Sequence, residues 1–564
     1  MTDIILALSV MFVTAGALLL VANHFGLSPV PFYIIAGVLA GPVIAQQDLI
    51  ELAQWGIAFL VFVFGIRTDI GDVQSVLRDA EVAAFVQIAV VGLVAFGVGY
   101  GFSILFEFQY PVRNAIYFSA AATLSSTIVG AGALERDILD NLVHGRLASS
   151  IHFFDDMVAI GAILILSAEV LTDSTQITSN IGYGVLFLLA GLVLYRHGYP
   201  LLIRVSGGFD ELVLMGSISI LIAFLAAAEA IGISIVVGAF AAGIAIRSEG
   251  AEAIGVQNGI QSIRDFFVAI FFVTVGALVQ LPTIEVLILS ITLLVLVLLV
   301  NPLILTITFI YEGYDTRTSF LASWSLNQVS ELALIIAIQA WLLETIADQL
   351  FDAIILAAAL TMIITVVTKR HEQFVYKRFI APLFGKWQAQ HVDEYSEVDD
   401  GLSDHVVLVG YGRQGRQITQ KLNELGQPYV AVENDPVLWD DLRTECENYV
   451  FGDAMAAYTM DRANVSEASL VLSTVDYMPL SELLLELETG ADLLLRADSS
   501  REAVKLLDSG ALFVNVPSVL ASDQLVENIE RVLSDEQERR ALKNEHLAML
   551  TKFERRGLAT RFQS

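Results

Sequence analysis

The chain has 564 residues, of which 55% are hydrophobic and only 16% charged, with a formal net charge of −30. That balance excludes a nucleic-acid binder working through a basic patch. The single cysteine, Cys446, excludes a disulfide framework or a cysteine-based zinc site.

The charge is unevenly spread. Residues 1–368 hold ten Arg and no Lys, and ordinary charge density begins at Lys369. The composition therefore predicts a membrane part over 1–368, a basic-then-acidic linker over 369–403, a soluble domain over 404–525 and a helical tail over 526–564. Few Lys beside many acids points to a cytosol of high salt, as in a halophile, with an ordinary acidic protein as the alternative.

About 20 apolar residues span a bilayer. The apolar runs predict about thirteen transmembrane helices: 3–23, 29–45, 50–66, 83–106, 112–132, 146–170, 180–197, 210–229, 231–247, 264–280, 284–311, 319–342 and 348–368. The first run is too long, and lacks the basic start, for a signal peptide. With the soluble part in the cytoplasm, an odd span count puts the N-terminus outside. Every one of the ten Arg except Arg113 then falls in or beside a cytoplasmic loop, the positive-inside pattern of a multi-pass plasma-membrane protein.

Ionisable groups inside a bilayer are costly and mark function. Asp155 and Asp156 fall mid-span in Ser149-Ser150-Ile151-His152-Phe153-Phe154-Asp155-Asp156, and Glu331 falls mid-span in Asn327-Gln328-Val329-Ser330-Glu331. Glu229 stands at a junction of two spans, and Glu169 near a span end. Neighbouring carboxyls titrate together, and an ionised one is a hard oxygen ligand for a small cation. A site that holds a proton or a cation, but not both, is an exchanger. Adjacent helical positions point about 100° apart, so one Asp can face the ion while the other meets a neighbouring helix. His152, one turn before Asp156, either shuttles protons or is hydrogen-bonded packing.

Two polar islands interrupt apolar runs: Ala121 to Gly130, with Ser125, Ser126 and Thr127, and Leu326 to Glu331, with Gln328. Each is the fifth span of its set if spans 1–6 and 8–13 are two repeats of opposite orientation. Paired interrupted helices at matching positions point to an inverted-repeat transporter with a midplane site. Close packing of small residues is the alternative reading.

These stretches, with Ile35 to Pro42, Phe59 to Ile66 and Phe271 to Gly276, resemble the cation:proton antiporter-2 family. That family includes Kef-type potassium efflux antiporters and two-aspartate sodium/proton antiporters. The resemblance implies a homodimer in the lipid bilayer, a moving core beside a dimerisation domain, and crossed discontinuous helices. It implies Asp156 as the carrier of K⁺ or Na⁺ and of H⁺, with Thr127 nearby. Kef-type members carry Gln where this chain has Asp155. The two-aspartate type pairs its first Asp with a membrane Lys, which is absent before Lys369. Potassium is the favoured substrate, and sodium is the alternative.

In the soluble part, His405 to Val409 reads as a strand. Gly410-Tyr411-Gly412-Arg413-Gln414-Gly415 follows as a glycine turn opening a helix, and a second strand ends at Glu433. Glycines let backbone N–H groups approach phosphate, and an acid at that distance bonds an adenosine ribose. Further strands at 449–451, 469–473, 492–496 and 512–515 make the domain α/β and Rossmann-like. It resembles the RCK or TrkA-N domain of potassium transporters and channels, which implies Asp453 near an adenine and Arg496 near phosphate. The nucleotide, NAD(H) or another adenine nucleotide, reads as a regulator and not a reactant, since no acid/base set lies in a soluble cleft. An RCK fold that binds no nucleotide and serves as a packing platform is the alternative. An RCK-gated channel would need a pore filter rather than a buried acid pair, and a mere anchor would not bear the cost of those acids. The chain reads as a transporter and not an enzyme.

Overall fold

The computed structural model describes residues 2–25, 28–43, 46–67, 73–127, 129–130, 142–166, 174–207, 209–246, 253–280, 282–399, 401–487, 489–534 and 539–547. Its chain divides into two compact units, Met1–Phe384 and Gly385–Ser564.

The described residues of the first unit are mostly helical. Its described helices are α1 (Thr2–Phe25), α2 (Pro29–Ala40), α3 (Gln46–Arg67), α4 (Val73–Val86), α5 (Gly92–Leu105), α6 (Pro111–Thr123), α7 (Val143–Leu166), α8 (Ser174–Val193) and α9 (Tyr199–Ser206). They continue with α10 (Asp210–Ile231), α11 (Ile235–Ile244), α12 (Ala253–Leu278), α13 (Ile284–Val295), α14 (Asn301–Tyr311), α15 (Thr316–Trp324), α16 (Glu331–Leu342) and α17 (Asp348–Lys369). Helix is found in each of the apolar runs, and among the described residues six helices are long and apolar enough to cross a membrane. In lipid a helix satisfies its backbone polar groups internally, so irregular backbone there must be covered by protein.

The scaffold around the site is held by glycine. α12 packs on α2 and α3, and α3 on α11. A Cβ at Gly37 would lie 2.0 Å from the Val273 carbonyl oxygen, and one at Gly276 would lie 2.0 Å from that of Ile34. Backbones approach this closely only where neither side carries a side chain. Ile35 to Pro42 and Phe271 to Gly276 are thus two faces of one contact.

Both polar islands are breaks. α6 stops at Thr123, with Leu124 extended, and helix resumes near Thr127. α15 is started by Asp315, whose carboxylate accepts from the N–H groups of Arg317 and Thr318 at 2.9 Å each, and it stops at Trp324. α16 begins at Glu331, capped by Ser330 Oγ, which accepts from Leu332 N at 3.0 Å. The breaks meet. Ser125 and Val329 form an antiparallel bridge, and Ser330 N donates to Leu124 O at 3.0 Å. Backbone groups freed by each break are thus satisfied partly by the other.

The stretch 369–403 is largely helical. It carries Glu372–Val375, a π turn at Tyr376–Ile380 and α18 (Ala381–Glu394). Lys369 ends α17, pairs with Glu372 at 2.7 Å and donates to Ser325 Oγ in the second break at 3.3 Å.

The second unit is a six-stranded parallel sheet: β1 (His405–Val409), β2 (Tyr429–Glu433), β3 (Tyr449–Phe451), β4 (Ala468–Ser473), β5 (Asp492–Arg496) and β6 (Phe513–Asn515). The order is β3-β2-β1-β4-β5-β6. β1 and β2 are buried along their whole length, as strands covered on both faces must be. The order reverses between β1 and β4, which places the binding crevice of such a sheet beyond their carboxyl ends. The last long helix, Pro517–Ser534, runs through the expected boundary at 525.

Candidate functional site

α7 carries the acid pair in the middle of its length. Its residues 149–152 and 155–156 lie at or near the protein interior, with Asp155 1%, His152 2% and Asp156 7% exposed. The first break supplies the donors. Asp155 Oδ2 accepts from Ser125 N at 2.9 Å, Ser125 Oγ at 2.5 Å and Gln87 Nε2 at 3.3 Å. Asp155 Oδ1 has no hydrogen-bond partner among the described residues. Asp156 points elsewhere: its Oδ2 accepts from Thr127 Oγ1 at 2.9 Å. Thr127 is half-buried. The offset of neighbouring helical positions therefore sends the two carboxylates to different ends of one break.

The second break closes the site. Gln328 Nε2 donates to Ser126 O and to Ser325 O, both at 3.1 Å. Ser126 Oγ accepts from Val129 N at 3.2 Å. Glu331 is fully buried as the first residue of α16. Val329 N donates to Thr361 Oγ1 at 3.2 Å, and Thr365 Oγ1 donates to Asn327 O at 2.9 Å, which fastens the break to α17. Asp155, Asp156, Thr127, Ser126 and Gln328 thus converge on the crossing of the breaks. Glu331 opens the helix that follows the second break. Glu229 is exposed at the end of α10, and Glu169 lies outside the described residues.

One partner escapes a sequence reading. Gln87 lies in a π turn, Gln87–Val91, between α4 and α5. It is fully buried, and besides Asp155 its Nε2 also meets Thr123 O at the end of α6. π turns recur at functional sites, and the available signal was one polar residue in a long apolar run. Ser125, which the first polar island already contained, holds Asp155 while its Oγ also contacts His152 Nδ1 at 3.0 Å.

In the second unit the glycine loop lies at the β1–β4 switch. Gly410 has φ +93°, open to glycine at little cost, and packs on Thr474. A Cβ at Gly415 would lie 2.2 Å from Gly410 O, whereas one at Gly412 would meet nothing within 4 Å. The loop is therefore tight where it turns and open where a phosphate would approach. Gly412 caps α19 (Arg413–Leu425) without a side-chain bond, and Arg413 is exposed at its start. Arg496 Nη1 donates to Gln414 Oε1 at 3.2 Å and Thr474 O at 3.3 Å, across the switch point. Asp453 is buried just past β3, with Oδ1 accepting from Met455 N at 2.9 Å.

Glu433 is tied to the loop itself. Oε2 accepts from Tyr411 N at 2.7 Å, and Oε1 from Asn434 N at 2.8 Å and Asp435 N at 2.9 Å. Burial, with Asp435's charge adding to it, raises this carboxyl above the ordinary glutamate range against the pull of those N–H groups. Two carboxylate oxygens offer about four acceptor positions, so three bonds leave room for one hydroxyl. The residues present fit an adenine nucleotide: an open glycine, a helix N-terminus, a nearby Arg and an acid at the tip of β2.

Residues 8–370 match the family described as "Sodium/hydrogen exchanger, transmembrane". The chain belongs to that family. The exchanger also matches the TrkA-N domain over residues 406–517. A protein of Alkalimonas amylolytica, provisionally named as the K(+) efflux antiporter KefB, is 27% identical over 469 residues, 78% of this chain and 67% of that protein. The glutathione-regulated potassium-efflux system protein KefC of Cronobacter sakazakii is 25% identical over 495 residues, 82% of this chain and 74% of its own. The membrane unit's fold is similar to that of the sodium proton antiporter MjNhaP1 from Methanocaldococcus jannaschii. That likeness has a TM-score of 0.51 at 14% identity, over 67% of this chain and 99% of the other. The exchanger is a multi-pass membrane transporter and not an enzyme.

Proposed function

We propose that the chain is a monovalent cation:proton antiporter that favours potassium and is regulated by an adenine nucleotide, NAD(H) being the first candidate, at its TrkA-N domain. The observation that carries this is the meeting of two helix breaks at a buried pair of carboxylates. A bilayer tolerates neither feature without a use for it. Broken backbone and half-helix ends supply oxygens and dipoles for a cation. The carboxylates supply the exchangeable negative charge.

Potassium is favoured on two grounds. The curated relatives named above are potassium-efflux proteins by name. The acid pair is also not partnered in the way expected of the sodium type: Asp155 is held by Ser125 and Gln87, and Lys369 is engaged by Ser325 and Glu372. We place thirteen crossings in the membrane, with the N-terminus outside and the TrkA-N domain in the cytoplasm, on the strength of the arginine pattern. The working unit is a homodimer whose core slides against a fixed scaffold.

Dye-monitored proton flux in proteoliposomes tests the reading. Outward potassium gradients are expected to drive proton uptake faster than sodium gradients do, and NADH to change the rate. No proton movement with either cation would defeat it. Glu433→Ala is expected to weaken NADH binding to the full chain by roughly tenfold in equilibrium dialysis, the effect of about one charge-assisted hydrogen bond. Unchanged binding would remove Glu433 from the ribose contact.

A further inference from the structure

We infer that the cavity where α2 and α12 end and α13 and α17 begin is a binding site for an ammonium group carried on an apolar body, with Asp352 as its anion, and that an occupant there arrests exchange. The effect on exchange rests on the antiporter reading; the site itself does not.

The cavity has a volume of about 480 Å³, within the ~300–1,000 Å³ of small-molecule sites. Val38, Leu49, Leu278, Val286 and Leu356 give it apolar walls, and Asp352 is the one ionisable side chain that lines it. Asp352 is only 6% exposed. Its Oδ1 accepts from Gln280 N at 3.4 Å, longer than the ordinary ~2.7–3.2 Å. That is the carboxylate's one hydrogen bond among the described residues. Asp348, one turn earlier on α17, adds a second negative charge and is itself held by Trp341 Nε1 at 2.9 Å.

A buried carboxylate is costly unless a cation pairs with it, and no Lys or Arg lines the cavity. A bare alkali ion needs a shell of oxygens in place of its water, which one carboxylate against apolar walls does not offer. An organic ammonium brings what the cavity calls for. Its N–H groups make charge-assisted bonds to Asp352, and its body covers the walls. In the orientation proposed above, this end of the bundle is the outer face. A free amphipathic amine from the medium and the headgroup of phosphatidylethanolamine from the outer leaflet present the same chemistry.

The cavity lies between two tied pairs of helices. α2 is fixed to α12: a Cβ at Gly41 would lie 2.5 Å from Ala277 O. α13 is fixed to α17, where Ser290 Oγ donates to Ala353 O at 3.2 Å beside Asp352. The first pair belongs to the glycine-packed scaffold. In the second, α17 also holds the second break through Thr361 and Thr365. The long bond from Gln280 to Asp352 is a weak tie across this seam. A molecule filling the cavity touches both pairs and binds them together, so the breaks cannot shift against the scaffold.

The test uses the full chain and hexylammonium chloride. Binding to the folded state raises the melting temperature without any need for transport. In detergent, hexylammonium is expected to raise it, and hexan-1-ol and ammonium chloride at the same concentration are not. Phosphatidylethanolamine against phosphatidylcholine in the same micelles forms the second arm, since the quaternary headgroup has no N–H to donate. Whichever amine responds identifies the source. Asp352→Asn keeps size and the oxygen facing Gln280 N, and is expected to weaken binding at least about tenfold, the scale for removing one charge of a buried pair. If that variant does not fold, Val38→Trp, at a position 43% exposed, fills the cavity with the carboxylate intact and is expected to show the same loss. In proteoliposomes a saturating amine is expected to slow exchange at least about tenfold in wild type relative to Asp352→Asn, the proton carried by free amine being common to both. Three results would overturn the inference: no shift with either amine, an undiminished shift in folded Asp352→Asn, or bound amine with exchange unchanged. A wild-type chain that moves no protons would defeat the antiporter reading, and the melting result would still decide the site.

Discussion

Asp156→Asn ends exchange. Cation-driven proton flux in proteoliposomes is expected to fall by more than about 100-fold, to the level of empty liposomes. Partners that only orient a metal ligand already carry about 10- to 100-fold in affinity, and Asp156 would be the ligand. The variant should still fold. Asparagine keeps the side-chain size and the oxygen that accepts from Thr127 Oγ1, and it removes a buried charge rather than creating one. An unchanged elution volume and melting temperature beside absent flux is the expected pair of results. Full exchange by a folded Asp156→Asn would remove Asp156 from the carrier role.

Gly276→Leu acts by the opposite route, through the fold. The first atom of the new side chain would be driven into the Ile34 carbonyl, 2.0 Å away, and Gly37 on the facing helix has no side chain that can yield. Ordinary overpacking costs about 1–3 kcal/mol because neighbouring side chains can move aside. Here the obstacle is backbone, so more than about 3 kcal/mol is expected. The measurable result is loss of monodisperse protein after detergent extraction, with proton flux lost in proportion to folded material. Gly276→Leu that extracts and melts like wild type would show that α2 and α12 do not meet this closely.

The parts of this molecule that announce themselves in the sequence are those with a local signature. The polar islands stand out because they interrupt apolar runs, and both are breaks in helix. Gly410, Gly412 and Gly415 follow a strand and precede a helix, and β2 ends at Glu433 as that spacing requires. What stays hidden depends on contact between distant segments. Nothing around Gln87 says that it will reach both Thr123 O and Asp155. Ser125 and Val329 give no sign that their backbones pair. Glu433 reads as a free ribose ligand, yet its carboxylate is already holding the loop through Tyr411 N. The region 369–403 reads as a linker by its charge pattern, although charge alone does not forbid helix, and Ala381–Glu394 is helical. A sequence shows which groups are unusual, and folding decides what they face.

The pairing of the two breaks also bears on how the protein is made. Ser126 O waits for Gln328, 202 residues further along the chain, and Leu124 O waits for Ser330. At about 5–20 residues per second of synthesis, that is roughly 10–40 s during which the first half sits in the membrane with open backbone acceptors. Insertion machinery or other protein has to shelter them until the second half arrives. Truncation anywhere between the two breaks should therefore leave a half-protein that the cell's membrane proteases remove.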